Sequence, residues 1–328
     1  MRPRPMKVCL ITPAPARSRK GNRVTALRWA RILRELGHRV SIDQEYRRQR
    51  CDLLVSLHAR RTHASLVRFR KQYPNRPLIV ALTGTDLYGD IHTDTSAQQS
   101  LELASRLIVL QPMGVEALPT NLREKTRVIY QSVRKPPGNF SPKKRVFEVC
   151  VLGHLRPVKD PFRAALAARL LPPTSHVRVI QIGAALSDDM ERQARAEEAS
   201  NPRYRWLGEL PRWKALRILA RSRLLALTSK MEGGANVVSE ALVCSVPIVS
   251  SRIAGSIGLL GEEYQGYFPV GDTQALAALL ARAERDAAFY EALKAWCDGL
   301  QHLFEPASER KRWESLLEEF RDGGMALR

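Results

Sequence analysis

Short apolar runs alternate with amphipathic stretches along nearly the whole of this 328-residue chain. VCLIT, residues 8–12, reads as a buried strand. The loop PAPARSRKGNR follows, and VTALRWARILRELG then predicts a helix. Leu27, Ala30, Ile32, Leu33 and Leu36 form its apolar stripe, and Gly37 is placed to cap its C-terminus. Residues 38–42, 53–57 and 78–82 predict further strands, and 107–110 and 127–130 shorter ones. The composition shifts at RKPPGNFSPKKR, residues 134–145, which reads as an interdomain linker. The alternation then restarts. VFEVCVLG, VRVIQIG, RYRWLG, LLALTS and PIVSS predict strands. Between and after them, helices are expected over DPFRAALAARLL (with Pro161 in its first turn), residues 187–199 (with Ser187 as N-cap), PRWKALRILARS, GANVVSEALVCS, 274–284, 288–302 and 306–320.

Apolar runs separated by helices mean a parallel α/β sheet. The restart after the linker means two of them. The expected organisation is therefore α/β with two Rossmann-like domains, 1–138 and 139–304, facing a cleft, and a helix at 305–328 packing back toward the first domain. Ligands of such sheets bind beyond the carboxyl ends of the strands.

Charge sharpens the picture. The chain holds 53 Lys plus Arg against 33 Asp plus Glu, a formal net charge of +20. Such a chain attracts polyanions, from nucleic acid to small phosphorylated ligands, although the arginines are scattered and also suit solvated faces. Its basic stretches lack interleaved aromatics, and no nucleic-acid-binding motif appears, which argues against a nucleic-acid partner. Five cysteines stand singly, which predicts reduced, mostly buried thiols and a cytoplasmic protein without structural zinc. No apolar run approaches a bilayer span, so no integral membrane association is expected. The apolar core of the N-terminal segment, residues 8–11, is too short for a signal peptide.

Three loops at predicted strand ends carry candidate chemistry. In ARSRKGNRV, Arg19, Lys20 and Arg23 crowd Gly21 and Asn22 just ahead of a helix N-terminus, where cations are normally disfavoured. An anion bound there would neutralise them; a solvated basic loop is the plainer reading. In GHLRPVKDP, Arg156 and Lys159 sit where a phosphate would lie. In MEGGANVVSEAL, Glu232 and Glu240 flank Gly233 and Gly234, which allow close backbone approach to a ligand. The N–H groups near Ala235, Asn236, Val237 and Val238 would form an anion cradle. Glu240, in the second helical turn, can accept hydrogen bonds from a vicinal diol such as ribose, and Glu232 from a second polyol. A diphosphate between two polyols is a nucleotide sugar. An ordinary Gly-started helix with solvated glutamates is the alternative.

EGGANVVSEALVCSVPIVSS resembles the E-x7-E signature of retaining GT-B nucleotide-sugar glycosyltransferases, with its P-V/I-V-x-S strand beginning at Pro247. The Gly21 loop, LGHRVSI, TGTD at 83–86, Lys159, RWLGEL and VGD at 270–272 match in order, so nearly the whole length is covered. The resemblance implies that Glu240 holds the nucleotide ribose, Glu232 contacts the transferred sugar and Lys159 binds the diphosphate. Leu207, Gly208 and Leu210 would face the base. The family's arginine usually follows the loop glycine directly; here His154 stands there and Arg156 takes the role. The resemblance implies no metal or other cofactor, because cations and the helix dipole serve the leaving diphosphate. Asp188-Asp189 looks like a metal pair but reads as a helix N-terminus.

KGNRVTALRWARILRELGHRV, ALTGTDLYGDI and GHLRPVKDP are similar to the selenosugar synthases of selenoneine biosynthesis. That similarity implies transfer of the sugar of a UDP-sugar, UDP-GlcNAc or UDP-glucose, to selenophosphate. The acceptor would lie against Arg19, Lys20, Gly21, Asn22, Arg23, Thr83, Asp86 and His58. Selenium is already nucleophilic, which agrees with the lack of an evident general base in the first domain. The alternative is a hydroxyl acceptor, lipid or polysaccharide, with Arg47, Arg48 and Arg50 touching an anionic membrane. Asp86 also reads as a loop cap. His92 and His154 are weaker candidates, His38 starts a strand, and Trp29 and Trp213 are expected to pack.

Overall fold

The computed structural model describes residues 5–18 and 21–322. The chain divides into two compact units, one of Met1–Gln131 with Pro306–Arg328, the other of Ser132–Glu305.

The first unit is built on six strands: β1 (Lys7–Ile11), β2 (Arg39–Asp43), β3 (Leu53–Leu57), β4 (Leu78–Ala81), β5 (Arg106–Val109) and β6 (Thr126–Val128). They are ordered β2-β1-β3-β4-β5-β6, and every pairing is parallel. Every residue of β3 and β4 is buried, as expected of strands covered on both faces, whereas edge strand β2 is partly exposed throughout.

Helix Gly21–Glu35 buries Ala26, Trp29, Ala30, Ile32 and Leu33. Leu27, expected in that stripe, is 50% exposed. The actual stripe is centred on Trp29, and Leu27 falls outside the arc that Trp29 defines. Gly37 takes φ 90°, and the N–H groups of Gly37 and His38 return to the carbonyls of Arg34 (2.9 Å) and Leu33 (3.0 Å). That double closure ends the helix with a left-handed glycine, as the sequence predicts. His38 lies just before β2, buried, its Nδ1 accepting from the N–H of Met6 (3.2 Å).

Helix Pro306–Asp322 belongs to this unit. Its Trp313 meets Trp29 edge to face at 5.0 Å. Its Glu309 is fully buried and accepts from Trp29 Nε1 (2.7 Å) and Arg28 Nε (3.2 Å). Trp313, Leu316, Leu317 and Phe320 complete the core over β1, β3 and β5.

The second unit repeats the architecture with β7 (Phe147–Leu152), β8 (Val177–Ile182), β9 (Tyr204–Trp206), β10 (Leu224–Leu227), β11 (Ile248–Ser251) and β12 (Tyr267–Phe268). Their order is β12-β11-β10-β7-β8-β9, again all parallel. Residues 129–146, which include the expected linker, contain no helix or strand. Ser187 caps helix Asp188–Ser200 by accepting from Met190 N (3.3 Å), so the two aspartates open a helix.

Two expectations fail here. The helix expected from Asp160 starts at Arg163. Pro157–Lys159 forms a 3-10 turn and Asp160 is left-handed at φ 44°, so Pro161 precedes the helix. Trp213, expected to pack, is 57% exposed on helix Arg212–Ala220, whose buried side is Leu216, Leu219 and Ala220. All five cysteines are free and buried. Among the described residues, no helix is long and apolar enough to cross a membrane.

Candidate functional site

In the second unit the loops after β7 and β10 are locked together at the carboxyl ends of adjacent strands. Thr228 Oγ1 reaches the carbonyls of Lys159 (3.0 Å) and Asp160 (2.9 Å), and Lys230 N donates to Val158 O (2.9 Å). This lock brings Lys159 to Glu232, 73 positions away, as an ion pair. Glu232 Oε1 also accepts from Ser229 Oγ (2.7 Å), and Ser251 Oγ of β11 donates to Ser229 O (2.5 Å). The backbone beneath Glu232 is set by Gly255. A Cβ there would stand 2.0 Å from Glu232 O, so only glycine fits. Two of the predicted catalytic groups, Lys159 and Glu232, are thus juxtaposed and held by β10, β11 and the start of helix Ala254–Leu260.

Arg156 is exposed in an extended backbone at the tip of the β7 loop, with no side-chain partner among the described residues. His154 turns its Nδ1 to accept from Ala184 N (3.2 Å), a bond that ties the β7 loop to the β8 loop. Gly183 supports the same crossing at φ 153°, with Gly153 O only 2.0 Å from where its Cβ would be.

Helix Asn236–Val243 begins right after the glycine pair, with Ala235 at its N-cap. The cradle is shorter than the sequence reading has it. Val238 N already donates to Ala235 O (3.0 Å) and is taken up within the first turn. Gly233 and Ala235 are buried, whereas Gly234, Asn236 and Val237 are half-buried. Glu240 lies on this helix with its side chain 10% exposed. Its Oε1 accepts from Nε (3.1 Å) and Nη2 (2.8 Å) of Arg212. Burial, together with the charge of Glu240, pushes the neighbouring Cys244 thiol up to about 11, against the opposing charges of Lys135 and Arg212. The segment expected to face a base is anchored at the end of β8: Leu207 N donates to Gln181 O (2.9 Å), and Gly208, at φ 65°, accepts from Gly183 N (2.8 Å). Leu207, Gly208 and Leu210 are half-buried.

In the first unit Arg19 and Lys20 lie outside the described residues. Gly21, Asn22 and Arg23 are not loop residues: the helix starts at Gly21, three positions before the expected Val24, and they form its first turn. The β3 and β4 ends are joined by Asp86, which is fully buried. It accepts from Ala59 N (2.9 Å), Thr83 N (2.6 Å) and Thr83 Oγ1 (2.7 Å). Asp86 opens a π-helical turn, Asp86–Asp90. His58, 2% exposed, sits between Asp86 (Nδ1 to Oδ2, 3.7 Å) and Asp90 (Nε2 to Oδ2, 3.8 Å), with Thr85 Oγ1 3.4 Å from Nε2. Its backbone is left-handed at φ 91°, a costly state for a histidine. Burial lowers the His58 pKa, against the pull of Asp86, so the ring is neutral at pH 7. Burial raises the Asp86 pKa, against His58 and its hydrogen bonds. His92 is exposed on the turn Ile91–Thr93.

Several participants escape sequence reasoning. Arg212, Thr228, Ser229, Gly255, Asp90 and Arg60, which pairs with Asp90 at 3.1 Å, carry no local motif. The fold brings Arg212, Thr228 and Gly255 to the site residues, whereas Ser229, Arg60 and Asp90 lie within four positions of Glu232, His58 and Asp86.

Residues 135–296 match the family model of glycosyl transferases group 1. No curated protein matches the sequence. Among solved structures, Anabaena HepE in complex with UDP and glucose is 17% identical with a TM-score of 0.75, over 96% of this chain and 100% of that one. Sucrose-phosphate synthase from Thermosynechococcus elongatus is 13% identical with a TM-score of 0.78, over 98% and 100%. A glycosyltransferase from Rickettsia africae is 12% identical with a TM-score of 0.73, over 98% and 100%. At these identities the likenesses establish the fold, GT-B.

Proposed function

We propose, from the match of residues 135–296 to the glycosyl transferases group 1 model, that this protein is a UDP-sugar-dependent glycosyltransferase. The observation that carries the reading is the pairing of Lys159 with Glu232 at the carboxyl ends of β7 and β10, eight residues ahead of Glu240. The charged groups here suit the ribose, diphosphate and sugar of a nucleotide sugar. Glu240 takes the ribose, Lys159 and exposed Arg156 take the diphosphate, and Glu232 takes the transferred sugar. The UDP complexes of the Anabaena structure support a uridine nucleotide.

The acceptor in this proposal is selenophosphate, on the sequence similarity to selenosugar synthases. Selenium attacks the anomeric carbon as the bond to the UDP oxygen breaks, and UDP leaves with the electron pair. Lys159 and Arg156 stabilise the charge that develops on the leaving diphosphate, so the step needs no metal. His58, Thr83, Asp86 and the basic start of the first helix serve the acceptor, and the reaction belongs to the cytoplasm.

A second reading, a hydroxyl acceptor, is favoured by one observation. His58 lies 3.7 Å from Asp86, and burial disfavours its protonated form. A neutral imidazole can take a proton from a hydroxyl nucleophile, a service that selenophosphate does not require.

A mass-spectrometric assay separates these. UDP-glucose or UDP-N-acetylglucosamine is incubated with and without selenophosphate. Release of UDP with a sugar bearing the selenium isotope pattern, only when selenophosphate is present, is the expected result. Failure to form a selenosugar by a protein that binds UDP would overturn the selenium assignment and leave the hydroxyl acceptor.

A further inference from the structure

Glu240 occupies a demanding position. Its side chain is 10% exposed on helix Asn236–Val243, beside the buried thiols of Cys150 and Cys244. A carboxylate so placed loses most of its hydration. A carboxylate grips a diol best when its rotamer is fixed. Arg212 can supply that restraint. Its guanidinium brings Nε to 3.1 Å and Nη2 to 2.8 Å of the same oxygen, Oε1. Arg212 is the first residue of helix Arg212–Ala220, directly after Pro211, whose ring fixes the chain entry. Its own side chain is 48% exposed, so it comes from the solvent side of Glu240.

We propose that Arg212 is the positioning residue of the ribose subsite: it holds Glu240 in the orientation that reads the ribose hydroxyls. Arg212 thereby sets the preference for a ribonucleotide over its 2′-deoxy counterpart. Two features favour positioning over a purely structural ion pair. Both donors converge on one oxygen, which restrains the side-chain rotamer of Glu240. The pair also sits next to the segment 207–210, itself anchored on β8 through Leu207 and Gly208. The inference rests on the assignment of Glu240 to the ribose.

The test measures the affinities of UDP and 2′-deoxy-UDP by titration calorimetry for the wild type, Arg212→Ala, Arg212→Lys and Glu240→Ala. In Arg212→Ala, UDP binding weakens by about tenfold, the loss expected of one charge-assisted hydrogen bond to the ribose. Binding of 2′-deoxy-UDP, which keeps only the 3′-hydroxyl, weakens less, so the ratio of the two affinities falls. Arg212→Lys, which keeps the charge without the fork, restores part of the ratio. Equal weakening of both ligands, or an unchanged ratio, in a variant with wild-type circular dichroism overturns the positioning role. Glu240→Ala separates this inference from the assignment beneath it. If Glu240→Ala abolishes the ratio while Arg212→Ala preserves it, the ribose assignment stands and the role of Arg212 falls. If Glu240→Ala itself leaves the ratio intact, the ribose assignment falls too.

Discussion

The ammonium group of Lys159 is paired with the carboxylate of Glu232, joining the loop after β7 to the loop after β10. Each is the other's principal counter-charge, and Ser229 holds the carboxylate from a second side at 2.7 Å. A diphosphate entering this site competes with Glu232 for Lys159, and a sugar hydroxyl competes with Lys159 for Glu232. Replacing Lys159 by Ala is expected to lower kcat by roughly 10²–10³-fold, the cost of removing one donor that stabilises developing charge. Steady-state UDP release measures it. Wild-type turnover in Lys159→Ala would remove Lys159 from the chemistry.

Gly255 enforces the position of Glu232 from below. An alanine Cβ would be 2.0 Å from Glu232 O and 2.8 Å from its carbonyl carbon, both backbone atoms. Gly255→Ala must push the Glu232 loop outward. The expected cost is about 1–3 kcal/mol of stability, as for other overpacked sites. Turnover is expected to fall further than the thermal midpoint accounts for. Wild-type turnover with a lowered midpoint would show that the place of Glu232 is not critical.

His58 makes the first unit sensitive to mild acid. Burial lowers its pKa below the ordinary 6.5 in the folded chain. As pH drops through 6.5 the unfolded chain takes up a proton that the folded chain refuses. Its contribution is therefore full above about pH 6.5 and is lost as pH falls toward the folded value. The thermal midpoint of the wild type should decline over that window, and His58→Asn should flatten the decline. An unchanged slope in His58→Asn would contradict the assignment.

Glu319 clamps helix Pro306–Asp322 to β5 and β6. It accepts from Arg106 Nε (2.6 Å) and from Arg127 Nε (2.6 Å) and Nη2 (2.9 Å). Burial opposes its ionised form, yet the two arginines outweigh burial and hold its pKa below the usual 4.5. A lowered carboxylate pKa adds stability above about pH 4.5, and that stability is lost as pH falls through the folded value. Glu319→Gln is expected to cost about 1–2 kcal/mol at pH 7, a value kept low because the partners are partly solvated. The cost should shrink when the denaturant titration is repeated near pH 3. A pH-independent cost would point to packing in place of charge.

The strands were legible because β3, β4, β7 and β10 are nearly all apolar and bounded by turn residues. The Gly37 cap and the Ser187 cap were legible from local chemistry. Glu232 and Glu240 were legible because their spacing is local to one loop and one helix. Their pairings were not: Lys159 was legible as a phosphate ligand but not as the partner of Glu232, and Arg212 carried no signal. Arg212 is 28 positions from Glu240, and Lys159 is 73 from Glu232, so each pair exists only through strand order. Leu27 and Trp213 show the limit of periodicity. An apolar side chain near the edge of a helical stripe is buried or exposed according to what covers it, and the sequence does not name the cover. The left-handed His58 and the π-turn Asp86–Asp90 arise from long-range ties between β3 and β4, which no short window contains.

The most direct test of the central claim is calorimetric titration of UDP against the wild type, Lys159→Ala and Glu240→Ala. The account predicts saturable one-to-one binding by the wild type, weakened by about tenfold or more in each variant through the lost charge-assisted bonds. A wild type that binds no UDP, or variants that bind it as tightly as the wild type, would contradict the placement of the nucleotide against Lys159 and Glu240.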